Sequence, residues 1–240
     1  LHSAGEFNNA VWNAEVIDDK SISFTYLSPD GTNGFPGNTK ATVTYTLTDN
    51  DELVIDYEAV SDKKTPINLT NHAYFNLNGY DGGDILSHTL KLNCSYFTPV
   101  DKNSIPTGEI RNVKGTPFAF ATAKKIGSDI NANDEQLIFT GGFDHNFCID
   151  GWDNSLREAY SDESGICLNV LTTLPGVQFY AGNFLKGDKG KNGVPMNYRS
   201  GFCLETQYYP DSVNRPEFPS CIFDAGEKYN SKTVFKFSVK

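Results

Sequence analysis

Side chains that alternate with a period of two dominate this chain and leave little room for any fold not made of sheets. In residues 41–47, Val43, Tyr45 and Leu47 fall on one side of an extended strand and Thr42, Thr44 and Thr46 on the other. After the polar turn Thr48-Asp49-Asn50-Asp51 the pattern resumes with Leu53, Ile55 and Tyr57. Runs of the same kind occupy residues 21–27, 85–92, 166–170 and 233–239. Turn dipeptides such as Asp30-Gly31, Asn33-Gly34, Asn78-Gly79, Asp150-Gly151 and Asn192-Gly193 stand between them. Helical spacing is scarce: residues 118–130 admit one short helix over 121–126, and 133–137 a further turn. Many short strands joined by turns predict an all-β, antiparallel β-sandwich rather than a barrel. No internal repeat or low-complexity linker interrupts the chain, so a single domain over residues 1–240 is expected.

Seventeen Phe and twelve Tyr among 240 residues are enough to fill a core. The formal net charge of -10 repels phosphate backbones and anionic lipid, so neither nucleic acid nor a membrane surface is expected as a partner. Solubility alone accounts for that charge. No apolar run is long enough to span a bilayer, and the start, Leu1-His2, shows no signal-peptide pattern. Cys94, Cys148, Cys167, Cys203 and Cys221 form no C-x-x-C pair, which argues against a disulfide framework and a thiolate zinc site. Each lies in or beside an apolar run, where cysteine behaves as a small buried hydrophobe; a reducing, cytoplasmic setting is expected. Asn68-Leu69-Thr70 and Asn93-Cys94-Ser95 match the glycosylation tripeptide inside strand-like runs and are read as chance matches.

Chemistry has few places to reside. The four histidines, His2, His72, His88 and His145, show no metal-ligand spacing, and no G-x-S-x-G or G-x-x-x-x-G-K motif is present. A metal site would have to assemble from distant positions, and these absences narrow the field towards imidazole and carboxylate chemistry without a cofactor. In "NLTNHAYFNLNG", residues 68–79, a strand would put His72, Tyr74 and Asn76 on one face. Such a row suits a sugar, whose C–H faces stack on a ring while its hydroxyls find polar partners. Taken alone, though, the segment favours a histidine held structurally by hydrogen bonds. In "GGFDHNFCID", residues 141–150, Asp144 and His145 point to opposite faces; Asp144 is either a ligand-facing acceptor of hydroxyl hydrogen bonds or a turn residue after Gly141-Gly142. In "GFCLETQYYPDSVNRPEFPS", residues 201–220, Glu205 is the sole charge in an apolar strand and shares a face with Cys203 and Gln207. It is paired, solvated at a strand end, or held in a cleft as a base. "PGVQFYAGNFL", residues 175–185, puts Gln178 and Tyr180 on one face.

Together these four blocks, with "SPDGTNGFPG" and "YFTPVDKNSIPTGEI" between them, resemble the aldose 1-epimerase (galactose mutarotase) family along the whole chain. The resemblance implies a large antiparallel supersandwich with a sugar cleft across one sheet. It implies interconversion of the α and β anomers of free aldohexoses, with no metal and no organic cofactor. It places the general base on Glu205 and the general acid on His72, and puts His2, Tyr74, Asp144 and Gln178 at substrate-binding positions. The expected partner is a monosaccharide, and the chain is expected as a monomer or weak dimer. The family carries strands, and a sugar-binding arginine, upstream of its L-H-G-G motif; here that motif aligns with Leu1-His2-Ser3-Ala4, so a chain shortened at its N-terminus is expected. Two other readings fit the residues: a hexose 6-phosphate 1-epimerase, for which Arg215 is the only cation in the cleft motifs, and a non-catalytic sugar-binding or regulatory module.

Overall fold

The computed structural model describes residues 7–151 and 157–240; His2 lies outside them. In chain order the first strands are β1 (Asn13–Val16), β2 (Ser21–Ser28), β3 (Thr39–Leu47), β4 (Glu52–Ser61) and β5 (Thr65–Pro66). They are followed by β6 (Thr89–Lys91), β7 (Tyr96–Thr98), β8 (Arg111–Asn112), β9 (Lys124–Lys125) and β10 (Asp144–Cys148). Next come β11 (Arg157–Tyr160), β12 (Ile166–Thr172), β13 (Gly176–Tyr180), β14 (Asp188–Lys189) and β15 (Pro195–Met196). The last are β16 (Cys203–Gln207), β17 (Ile222–Phe223) and β18 (Lys228–Val239). Nine of them form one sheet in the order β1-β2-β3-β4-β18-β12-β11-β6-β9, and five form a second in the order β16-β13-β10-β7-β8. All these pairings are antiparallel.

The period-two signal translates directly into the sandwich. On β4, Ile55, Tyr57 and Ala59 are buried; on β18, Tyr229, Ser231, Thr233 and Phe235 are buried while Lys228, Asn230 and Lys232 are exposed. These side chains meet Phe97, Phe147, Val177, Phe179 and Leu204 of the second sheet in one contiguous core. The layers are tied by more than hydrocarbon: the hydroxyls of Thr206 on β16 and Thr233 on β18 are 2.6 Å apart. Among the described residues no helix is long and apolar enough to cross a membrane.

Several local expectations shift. The residues expected as a helix over 121–126 instead form β9 and a short 3-10 turn at Ile126–Ser128. There the backbone is taken up by β6, and Ile126 N–H and Gly127 N–H donate to the carbonyls of His88 and Leu86. Tertiary pairing outweighs a weak local preference. The turn expected at 133–137 becomes the α-helix α1 (Glu135–Thr140), capped by the Asp134 side chain and stopped by Gly141 at φ 68°. Of the run 85–92, only β6 is extended, because His88 N–H closes a turn onto the Ile85 carbonyl. The segment around His72 is not a strand, and neither Asn68 nor Asn93 lies in one.

Candidate active site

The five-stranded sheet has one face in the core and one face rich in polar groups. Strand register arranges that second face as a grid. Cys203 pairs with Tyr180, which pairs with Asp144; Glu205 pairs with Gln178, which pairs with Asn146. In the third row Gln207 pairs with Gly176, which pairs with Cys148. Because alternate residues share a face, the intervening Leu204, Phe179, Val177, Phe147 and His145 all point inward. Gly176 is required by close approach. A Cβ there would lie 2.4 Å from Asn146 Oδ1 and 2.9 Å from the Tyr209 ring, so only glycine leaves Gln207 room to reach across it. Gln207 Nε2 donates to Asn146 Oδ1 at 3.2 Å and to Gln178 Oε1 at 3.1 Å, and Gln178 Nε2 donates to Asp144 Oδ1 at 2.8 Å. This relay fixes the direction of every amide along the floor.

His72 reaches the grid from a segment clasped alongside β16. Asn68 makes two bonds to the backbone of Tyr208, donating through Nδ2 at 3.0 Å and accepting through Oδ1 at 2.9 Å. At the other end Phe75 and Phe202 exchange both backbone hydrogen bonds, at 2.8 and 2.9 Å. Between these clasps Asn71 Oδ1 accepts from Ala73 N–H, making a side-chain turn that replaces strand pairing. Asn76, expected beside His72 and Tyr74, instead donates to the carbonyls of Gly83 and Ser200. Asn68, Asn71 and Asn76 therefore hold backbone, and His72 is the residue they deliver.

The delivered ring is tightly placed. Its Nε2 lies 3.6 Å from Glu205 Oε1 and its Nδ1 lies 3.4 Å from Cys203 Sγ. Tyr74 stacks on it, with centroids 5.1 Å apart and planes at 27°, and Tyr180 meets it edge-on at 6.1 Å. Tyr74 is half exposed, a ring offered to whatever occupies the cleft, and the Tyr180 hydroxyl is engaged by Phe184 N–H at 2.8 Å. Glu205 is only 4 % exposed. Burial, with the Asp144 charge second, pushes its carboxyl up to about 8.

His72, Cys203 and Glu205 offer nitrogen, sulfur and oxygen atoms within 4.8 Å of one another. Sulfur lies within hydrogen-bond reach of one ring nitrogen and the carboxylate faces the other at ion-pair distance, so a single ion would need the carboxylate to swing across. A separate hollow of about 400 Å³ lies by Phe35, Val213 and Ile222, but Lys64 is its only charged lining group, so proton chemistry belongs to the grid.

Five of the six residues singled out in the sequence, His72, Tyr74, Asp144, Gln178 and Glu205, are thus in one place; His2 falls outside the described residues. Asn146 and the clasp residue Asn68 were missed. Alternation from Asp144 would have found the first; nothing local marks the second.

A polar face on one sheet of an antiparallel β-sandwich, with an imidazole against a buried carboxyl, defines a class of protein equipped to move protons. The comparisons name the branch. The Aldose 1-epimerase family model matches residues 1–236, and the chain belongs to that family. It is 44% identical over 236 residues to the galactose mutarotase of Homo sapiens, covering 97% of this chain and 67% of that protein. It is 39% identical over 243 residues to the aldose 1-epimerase of Escherichia coli K12, covering 99% of this chain and 70% of that one. Among solved structures, a GalM/aldose epimerase homologue from C. elegans superposes with a TM-score of 0.86 at 31% identity, covering 95% of this chain and 68% of the other. The galactose 1-epimerase of Lactobacillus acidophilus does so at 0.83 and 30%, covering 96% and 67%. The chain spans about two thirds of the length of the relatives it matches.

Proposed function

We propose that the protein is an aldose 1-epimerase, interconverting the α and β anomers of free aldohexoses such as galactose and glucose. Glu205 is the general base and takes the proton from the C1 hydroxyl. His72, protonated, gives its Nε2 proton to the ring oxygen. The C1–ring-oxygen bond breaks, leaving an aldehyde that rotates about C1–C2. Reclosure from the other face reverses both transfers: His72 takes back the proton and Glu205 returns the other. The observation that carries this reading is the 3.6 Å separation of His72 Nε2 and Glu205 Oε1 at the polar face. Both oxygens of a hemiacetal are bonded to the same carbon, so the acid and base that serve them have to be close neighbours. Tyr74 supplies the stacking ring, and Asp144 and Gln178, with their relay intact, accept and donate to sugar hydroxyls. Family membership and the identity to mutarotases support the same activity.

Arg215, the one cation in the cleft motifs, is taken up by Asp211 at 3.1 Å and by the Pro106 carbonyl at 2.7 Å, which favours a free sugar over a hexose 6-phosphate. Five buried cysteines that form no disulfide with one another suit a reducing, cytoplasmic setting. Polarimetry on freshly dissolved α-D-galactose or α-D-glucose tests the activity. The protein is expected to speed equilibration, and Glu205→Gln and His72→Asn each to slow the catalysed rate by roughly 10²–10⁴-fold. Sugar binding without acceleration would leave a binding module instead.

A further inference from the structure

His72 has a partner that the proton transfers above do not use. Cys203 is fully buried on β16, two residues from Glu205 on the same face, and its sulfur lies 3.4 Å from the ring nitrogen that faces away from the carboxyl. We propose that Cys203 is a positioning residue for catalysis, its sulfur accepting a hydrogen bond from His72 Nδ1–H so that Nε2 alone gives and takes the proton. The inference rests on the reading of His72 and Glu205 as the acid/base pair.

The chemistry requires one nitrogen to stay protonated. Imidazolium that has given up its Nε2 proton is neutral imidazole with hydrogen on Nδ1 and a bare Nε2, and only that tautomer can take the proton back at the same atom. In water, histidine favours the other tautomer, with hydrogen on Nε2, which is useless here as a base at that nitrogen. A fixed acceptor beside Nδ1 corrects the preference. Tyr74 and Tyr180 restrict the ring on a face and an edge, so the sulfur meets Nδ1 in a held orientation.

A thiol is an unusual choice and has a consequence. Burial and the charges of Glu205 and Asp144 raise the Cys203 thiol above its ordinary range, so it stays neutral. Neutral sulfur is a weak acceptor. A carboxylate in its place would favour the charged ring and hold the imidazolium proton back. The thiol fixes the tautomer while leaving the Nε2 proton free to move. Cys203 and Glu205 from β16, Tyr180 from β13 and Tyr74 from its own segment face the ring, and the Asp144 charge on β10 acts on Cys203.

The wild-type protein tests this directly. In ¹⁵N-labelled protein, two-bond ¹H–¹⁵N correlations of the His72 ring at neutral pH are expected to show a protonated Nδ1 whatever the state of Nε2; a bare Nδ1 there overturns the proposal. Cys203→Ala is expected to move the ring towards the Nε2–H tautomer and lower kcat roughly tenfold, with KM within about twofold. Cys203→Ser, which restores an acceptor, is expected to recover both the tautomer and part of the rate. An unchanged tautomer and kcat in folded Cys203→Ala also overturns it. If the alanine variant does not fold, the wild-type spectrum and the serine variant decide. Full activity in Glu205→Gln would instead break the acid/base reading, while the ring spectrum tests the tautomer on its own.

Discussion

Glu205 is 4 % exposed, and after burial the charge that raises its pKa is another carboxylate, Asp144. A base that must take a proton from a hydroxyl gains from being pushed up to about 8, but the fold loses by it. The carboxyl binds its proton more tightly folded than unfolded, where 4.5 is its ordinary value. Its contribution is therefore most favourable below about 4.5 and is lost as pH rises towards 8. Glu205→Gln should remove that slope. Expected is a variant nearly as stable as wild type at pH 4.5 and more stable by about 1–3 kcal/mol at pH 8, read by urea unfolding at both values. Equal stability gaps at the two pH values would contradict the burial argument.

The segment from Ile67 to Phe75 works as a strap laid along β16, tied at Tyr208 by Asn68 and at Phe202 by Phe75. Asn68 is exposed and far in sequence from the strand it ties, yet both of its bonds sit at the end of the strap that sets where His72 comes down. Asn68→Ala should cost about 1–2 kcal/mol of stability for two lost hydrogen bonds. It should also lower kcat more than Asn68→Asp, which keeps the acceptor for Tyr208 N–H. Progress curves by polarimetry, beside thermal melts, separate the two effects; an alanine variant with lowered stability and unchanged kcat would show that the clasp does not set the histidine.

For the whole molecule, His145 links the cleft sheet to α1 as a neutral ring. It is fully buried among Phe97 and Phe118, with Nε2 3.3 Å from Gln136 Oε1 and Nδ1 accepting from Asp144 N–H at 3.3 Å. Gln136 in turn bonds both backbone groups of Val100, at 2.7 and 3.0 Å. Burial first, and Arg111 second, hold His145 down to about 3. The folded ring resists a proton that the unfolded one accepts near 6.5, so stability is present above that value and falls as pH drops towards 3. His88 is shifted the same way by burial. Denaturation midpoints between pH 7 and pH 4 should fall in wild type and fall less in His145→Gln; parallel curves would assign the acid sensitivity elsewhere.

Alternation marked most of the long strands, and in β10, β13 and β16 it showed which side chains share a face. A residue two positions along a strand is on the same side whatever the strand packs against. That is why Glu205 with Cys203 and Gln207, and Gln178 with Tyr180, could be paired in advance, and why Asp144 and His145 could be separated. The resemblance of four sequence blocks to one family added the roles. What the tertiary structure alone decided is how those faces meet. Register aligned Glu205 with Gln178 and Asn146, and depends on hydrogen bonds between segments dozens of residues apart. The strap around His72 reads as a strand in sequence, because its aromatic and asparagine spacing is strand-like. It is held out of the sheet by side-chain bonds to backbone 140 residues away, and no local pattern can register a partner that distant.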